Sequence, residues 1–220
     1  YDPILDTWTT MDTSNAPSNR LEMCYGSHAN SLLVWGGANL FNTFNDGAVY
    51  DVVSNRWSAL PSNNAPTNRY AGDATILGNR FIVWGGQSQV GPTPTELATG
   101  GTLMLDDASQ SWASGTWTTM TTDEAPGPRT IPRTSLALDS KTFIFGGFFF
   151  NVSAGSWIAY NSGGIYAPEE DSWIASTLSG APTGRFQHSM TWTGEKVVVW
   201  GGTNGNTSFS DGAIFYPSEP

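Results

Sequence analysis

Short apolar runs such as Leu32-Leu33-Val34-Trp35 and Val197 to Trp200 recur along the chain, and each stops at a glycine pair. Runs of that length without a polar interruption read as β-strands covered on both faces. The endings are Val34-Trp35-Gly36-Gly37, Val83-Trp84-Gly85-Gly86, Ile144-Phe145-Gly146-Gly147 and Val199-Trp200-Gly201-Gly202, at spacings of 49, 61 and 55 residues. A fixed internal period of this size marks a repeat architecture.

Other landmarks keep step with the glycines. Ala-Pro occurs at Ala16-Pro17, Ala65-Pro66, Ala125-Pro126 and Ala181-Pro182. Three residues after each proline stands an arginine: Arg20, Arg69, Arg129 and Arg185. Eight residues before each alanine stands a tryptophan: Trp8, Trp57, Trp117 and Trp173. The one slip is in the third copy, where Arg129 precedes Gly146 by 17 residues instead of 16.

Each copy carries four strand signals. Strand a follows the arginine, as in Leu21 to Tyr25 or Phe186 to Thr191. Strand b is the apolar run before the glycine pair. Strand c follows a turn glycine, at Gly47 to Tyr50, Gly101 to Leu105, Gly164 to Tyr166 and Gly212 to Tyr216. Strand d holds the tryptophan and ends near Met11, Leu60, Met120 or Leu178. Turns such as Asn45-Asp46-Gly47 separate them. The glycine pair can take positive φ or let a group lie flat on the backbone, and an indole from strand d is the expected occupant.

Composition supports the all-β reading. There are 25 Gly, 13 Pro and 10 Trp, and no stretch rich in Ala, Leu, Glu and Lys that would form a helix. The net charge of −10, with Lys141 and Lys196 the only lysines, argues against nucleic acid and anionic membranes as partners. The apolar run Phe143 to Phe150 is too short to span a bilayer and is broken by two glycines. Cys24 is the single cysteine, so no internal disulfide forms. The Asn-, Ser- and Thr-rich, Lys-poor surface points to a secreted or cell-surface protein of bacterial type. Asn151-Val152-Ser153 and Asn206-Thr207-Ser208 match the glycosylation pattern, as chance in such a composition also would. With no initiator Met and an opening in mid-repeat, the sequence reads as a piece of a longer product.

The apolar-Gly-Gly pair, the aromatic near strand c and the Trp of the outer strand resemble the kelch repeat. The fuller string, Ala-Pro-x-x-Arg, then Val-Trp-Gly-Gly and later Asp-Gly-Ala-Val-Tyr-Asp, resembles its bacterial variants. The resemblance implies one all-β domain over residues 1–220, a β-propeller of four kelch-type blades. A completing strand spans 1–12, with repeats at about 13–60, 61–120, 121–176 and 177–220. The chain opens on a strand d and ends after a strand c. Closure is therefore expected by pairing the N-terminal strand with the last blade, which removes open edges. A piece of a six- or seven-bladed ring, or a subunit that gives its strand d to a neighbour, is the alternative.

Chemistry is sparse. His28 falls at an a–b turn, and His188 on strand a reads as a hydrogen-bonded structural residue. A kelch-type copper oxidase would need several His and Tyr ligands and a Cys–Tyr crosslink, whereas Cys24 and Tyr25 are neighbours on opposite faces of a strand. The four arginines read as structural, tying loop carbonyls or carboxylates between blades, with Asp73, Asp123 and Glu124 as partners. No calcium-loop pattern occurs, so no metal or other cofactor is expected.

The b–c loops are the individual part of the chain: Ala38 to Asp46, Gln87 to Gly100, Phe148 to Gly163 and Thr203 to Asp211. Phe148, Phe149, Phe150, Trp157 and Tyr160, with Phe41, Phe44 and Phe209 of the neighbouring loops, form the candidate contact patch. The expected function is a non-catalytic extracellular module that binds protein or glycan. A self-associating structural subunit, or part of a larger surface protein, is the second reading, and a sugar-processing enzyme the third.

Overall fold

The structure, a computed structural model, describes residues 1–90, 95–131, 134–151 and 153–217. Blade 1 holds β1 (Cys24–His28), β2 (Ser31–Trp35), β3 (Gly47–Asp51) and β4 (Arg56–Ala59) in that spatial order. Blade 2 repeats it with β5 (Asp73–Leu77), β6 (Arg80–Trp84), β7 (Gly100–Asp106) and β8 (Ser111–Thr119). Blade 3 begins with β9 (Ser135–Leu138) and β10 (Lys141–Phe145). A separate hairpin follows, β11 (Phe148–Asn151) and β12 (Ser156–Ala159), before β13 (Gly163–Ala167) and β14 (Ser172–Ala175) complete the blade. Blade 4 has β15 (Ser189–Trp192), β16 (Val197–Trp200) and β17 (Gly212–Phe215), a three-stranded sheet among the described residues. All neighbouring strands are antiparallel, and no helix occurs among the described residues.

The apolar core lies between blades. β1 stands against β5, β5 against β9 and β9 against β15, so the first strands form the inner wall of a propeller. One cluster joins Leu33 and Trp35 of blade 1 to Phe81, Leu103 and Trp117 of blade 2. The next joins Ile82 and Trp84 to Ile144, Tyr166 and Trp173, and a third joins Phe143 and Phe145 to Val197 and Val199. Each blade supplies half of two cores, so an end blade lacks half of one.

The glycine pairs form these boundaries differently from expectation. Gly36 and Gly37 have φ of 67° and 91°, and the other three pairs match them closely. The occupant is a backbone carbonyl, not an indole: a Cβ on Gly36 would stand 2.5 Å from the Arg69 carbonyl oxygen. That carbonyl accepts the Gly37 N–H at 2.7 Å, and Arg129 and Arg185 accept those of Gly86 and Gly147, each at 3.0 Å. The boundary admits a carbonyl because no side chain intervenes.

Three further expectations are corrected. Strand a starts later than the arginine suggests, at Cys24, Asp73 and Ser189. The second residue after the arginine, Glu22, Ala71 or Gln187, has positive φ and breaks the strand before it is established. The N-terminal segment does not complete blade 4, because Asp2 bridges to Thr7 in a tight turn of its own and, among the described residues, β17 pairs only with β16. The four tryptophans are not equally buried. Trp117 and Trp173 are enclosed and Trp57 is half-buried, but Trp8 is 84% exposed.

Candidate functional site

The four arginines hold the loops in place. Each Nη1 donates to the carbonyl of the first glycine of its own blade's pair, Gly36, Gly85, Gly146 or Gly201, at 2.8–3.0 Å. The same nitrogen donates to the carbonyl before strand c, at Asp46, Thr99, Ser162 or Asp211. The side chain thus works within a blade, while the arginine's own carbonyl works between blades. Arg20 and Arg185 also pair with the Asp46 and Asp211 carboxylates, at 2.7 and 2.8 Å. Those are the acidic partners, in place of Asp73, Asp123 and Glu124. Burial lowers the pKa of Arg69 and Arg129 to about 10, which leaves both charged at neutral pH.

Three residues of the expected contact patch serve these arginines. Phe44, Tyr160 and Phe209 lie 4.2, 4.2 and 4.6 Å from the guanidinium carbons of Arg20, Arg129 and Arg185. Tyr160 also donates its hydroxyl to the Pro128 carbonyl at 3.1 Å, and burial raises its pKa. Phe149 faces Tyr160 at 5.7 Å, whereas Phe41 projects into solvent from the blade 1 loop.

Phe148, Phe150 and Trp157 fall on the other side of the hairpin. The Trp157 ring stands 4.9 Å from Phe148 and 4.7 Å from Phe150, and it is 45% exposed. With Phe148 it lines a bowl of about 540 Å³ on the b–c loop face. All four blades contribute: Glu22 from the first, Tyr70, Ala71 and Gln87 from the second, Thr130 from the third, and Phe186, Gln187, Thr203 and Gly205 from the fourth. Apart from Trp157 and Gly205, these are residues one or two places after each arginine, together with those just after three of the four glycine pairs, Gln87, Phe148 and Thr203. Backbone bridges join the two sets: Tyr70 to Gln87, Thr130 to Phe148 and Phe186 to Thr203. Gln87 is held from behind by Glu96, whose carboxylate also accepts the Phe150 N–H. Tyr70, Phe186, Gln87, Gln187 and Glu22 escaped sequence reasoning, although adjacency to an invariant landmark of the repeat marks all five.

A second cavity, about 530 Å³, lies beside the inner strands and is lined by Glu22, Tyr25, Asp73, His188 and Ser189, among others. Asp73 accepts the Ser135 N–H of blade 3 at 2.7 Å, and burial still raises its carboxyl to about 6. His188 is not the hydrogen-bonded residue expected. Both ring nitrogens are buried without a partner, the ring meets Phe145 edge-on at 5.7 Å, and burial, with Arg185 adding to it, lowers its pKa to about 4. His28 packs edge-on against Trp112 on the blade 1–2 boundary, at 5.6 Å. Cys24 is buried in the first core, which pushes its thiol up to about 12 and keeps it unreactive at neutral pH. Of the two glycosylation matches, Asn151-Val152-Ser153 includes a residue outside the described set.

Four antiparallel blades, joined through glycine-pair amides and built around repeated arginines, define a kelch-type β-propeller. The KLHDC2/KLHL20/DRC7 Kelch-repeats domain matches residues 1–202, and the chain belongs to the kelch-repeat family, whose propellers are protein-interaction modules. Among curated proteins it is similar to the Rab9 effector protein with kelch motifs from Xenopus laevis, 33% identical over 87 residues. That stretch covers 39% of this chain and 23% of the relative. No helix among the described residues is long and apolar enough to cross a membrane.

Proposed function

We propose that this propeller is a non-catalytic binding module that grips an extended segment of a partner protein in the four-blade bowl. The observation that carries the reading is the convergence of Phe148, Trp157, Phe186 and Tyr70 on one concave surface with Trp157 half open to solvent. An exposed indole backed by other rings is the usual form of a binding hot spot. The bowl selects by charge as well. Glu22 is the only acidic or basic side chain on its wall among the described residues, and the guanidinium groups of Arg20, Arg69, Arg129 and Arg185 are engaged by backbone carbonyls. A partner segment with a basic side chain beside an apolar one fits best, its cation near Glu22 and the ring faces.

A peptide array and a glycan array probed with the same protein test this. Retention of basic-apolar peptides, lost on Trp157→Ser and weakened by salt, supports the reading. Retention of glycans alone, or of acidic peptides, overturns it.

A further inference from the structure

One polar group on the bowl wall is held in a single orientation, and Glu96 holds it. Backbone bridges set Tyr70, Gln87 and Glu96 side by side, in that order, across the blade 2 part of the wall. Cross-strand neighbours present their side chains on one face. The Gln87 carboxamide meets Glu96 on that face, its Nε2 donating to Glu96 Oε1 at 3.3 Å. A carboxylate only accepts, so the nitrogen is the end of the amide that faces it. The Gln87 carbonyl oxygen is thereby turned the other way, toward Tyr70 and the open bowl that both residues line. The same Glu96 oxygen accepts the Phe150 N–H at 3.4 Å, which ties Gln87 to the hairpin that carries Trp157.

Glu22 stands on the other side of Tyr70. The Ala71 N–H donates to the Glu22 carbonyl at 2.9 Å, so the Glu22 backbone lies one strand spacing from the Tyr70 segment. Gln87 lies one spacing away on the opposite side. The Glu22 and Gln87 backbones are therefore about 10 Å apart, with Tyr70 between them. Burial raises the Tyr70 pKa and the charges of Glu22 and Glu96 add to the rise, which places both carboxylates near the one ring. Among the described residues neither carboxylate has an ion-pair partner. Thr130 comes next along the wall, because the Gly86 N–H donates to the Arg129 carbonyl. Its hydroxyl is buried without a partner.

The geometry points to an arginine, rather than a lysine, as the basic residue the bowl selects, an inference that rests on the bowl being a peptide site. A guanidinium carries N–H donors on several edges of one plane. One edge reaches the Glu22 carboxylate and the opposite edge the Gln87 carbonyl oxygen, while the plane lies over Tyr70. The Thr130 hydroxyl supplies a further acceptor on the Gln87 side. An ammonium is a compact charge, and two of its hydrogen bonds, each about 2.9 Å, span less than about 6 Å end to end. It engages one side of Tyr70 and leaves the other unmet. The apolar neighbour of the arginine then falls beyond Thr130, on Phe148 and Trp157. Gln87 is the specificity-determining residue. Glu96, which acts through it, is a positioning residue.

An array in which every basic-apolar peptide appears twice, once with arginine and once with lysine, tests the proposal. The arginine member should bind about tenfold or more tightly. Gln87→Met keeps the length of the side chain without its acceptor, and should cut that ratio to about twofold or less. Glu96→Leu should cut it as well, whereas Glu96→Gln should keep it, because an amide oxygen still accepts from Gln87 and Phe150. That rescue separates positioning from a general loss of structure, and melting curves show which variants are folded. The paired peptides need no variant, so their comparison holds even where a substitution prevents folding. Equal binding of the two members by the unaltered chain overturns the proposal and leaves the bowl standing as a peptide site. Selection that survives Gln87→Met also overturns it. Retention of neither member anywhere on the array overturns the peptide site itself, and this inference with it.

Discussion

The Trp84 ring of β6 meets the Trp173 ring of β14 at 4.6 Å across the boundary between blades 2 and 3, tilted by 56°. The two indoles are not equivalent. Trp173 Nε1–H donates to the Thr121 carbonyl, whereas Trp84 Nε1 is buried without a partner. Trp84→Phe therefore removes an unsatisfied donor along with some apolar area, and blade 3 already has Phe145 at that position. Trp173→Phe loses a hydrogen bond worth about 1 kcal/mol and strands a carbonyl. Urea unfolding should show Trp173→Phe as the more destabilising change, and Trp173→Ala should cost about 3–5 kcal/mol. Equal effects of the two Phe variants would mean that the indole bond contributes nothing.

Arg129→Lys should be costly although charge is conserved. The guanidinium reaches the carbonyls of Gly127, Gly146 and Ser162 at 2.9–3.0 Å while its carbon stands 4.2 Å over the Tyr160 ring. A single ammonium cannot span that fork, and buried carbonyls are left without donors. A loss of about 2–4 kcal/mol in denaturant unfolding is expected, and a loss under about 0.5 kcal/mol would show that water replaces the fork.

The blade count and the positions of strands b and c were legible because landmarks at fixed offsets carry them. β16 spans Val197–Trp200, as its apolar run indicates. The start of strand a was not legible, since a positive φ at Glu22 or Gln187 has no signal in a polar residue type. Nor was the role of Tyr160. An aromatic-rich insertion predicts apolar surface, but alternation along β12 decides which rings face Arg129 and which face the bowl. Closure failed for a different reason: a count of strand types says that the ends are complementary but not that they pair, and here Asp2 bridges to Thr7 instead.

Asp73 and His188 give opposite pH dependences. Asp73, raised to about 6 from 3.8, contributes stability that is present at low pH and is lost as pH rises through about 6. His188, lowered to about 4 from 6.5, contributes stability that is present above 6.5 and is lost as pH falls toward about 4. Their windows overlap between pH 4 and 6, so the two slopes largely cancel there. Asp12, Asp51 and Asp106, lowered by hydrogen bonds involving Ser14, Ser54 and Ser109, act below that window. His188→Met, which copies Met23 of blade 1, should make the melting temperature rise as pH falls from about 6.5 to about 4.5. Asp73→Asn should make it fall over the same range. Flat profiles in both variants would show that neither group is desolvated as its surroundings indicate.

Trp157 and Tyr160 are three residues apart on one hairpin, and the structure separates their roles. Trp157 faces the bowl, 45% exposed, and packs on Phe148, Phe150 and the Gly205 turn. Tyr160 faces the blade, covering Arg129 and donating to Pro128. Trp157→Ser should leave the core intact, lower stability by about 1 kcal/mol and abolish capture of basic-apolar peptides. Tyr160→Ser uncovers a buried guanidinium and deletes a packed ring, so it should lower stability by about 2–4 kcal/mol. Peptide affinity per folded molecule should be nearly unchanged in that variant, because the bowl wall does not include Tyr160. Paired thermal melts and peptide titrations on the two single variants decide the matter. If Tyr160→Ser removes binding at unchanged stability while Trp157→Ser does the reverse, the recognition surface lies on the opposite side of the hairpin.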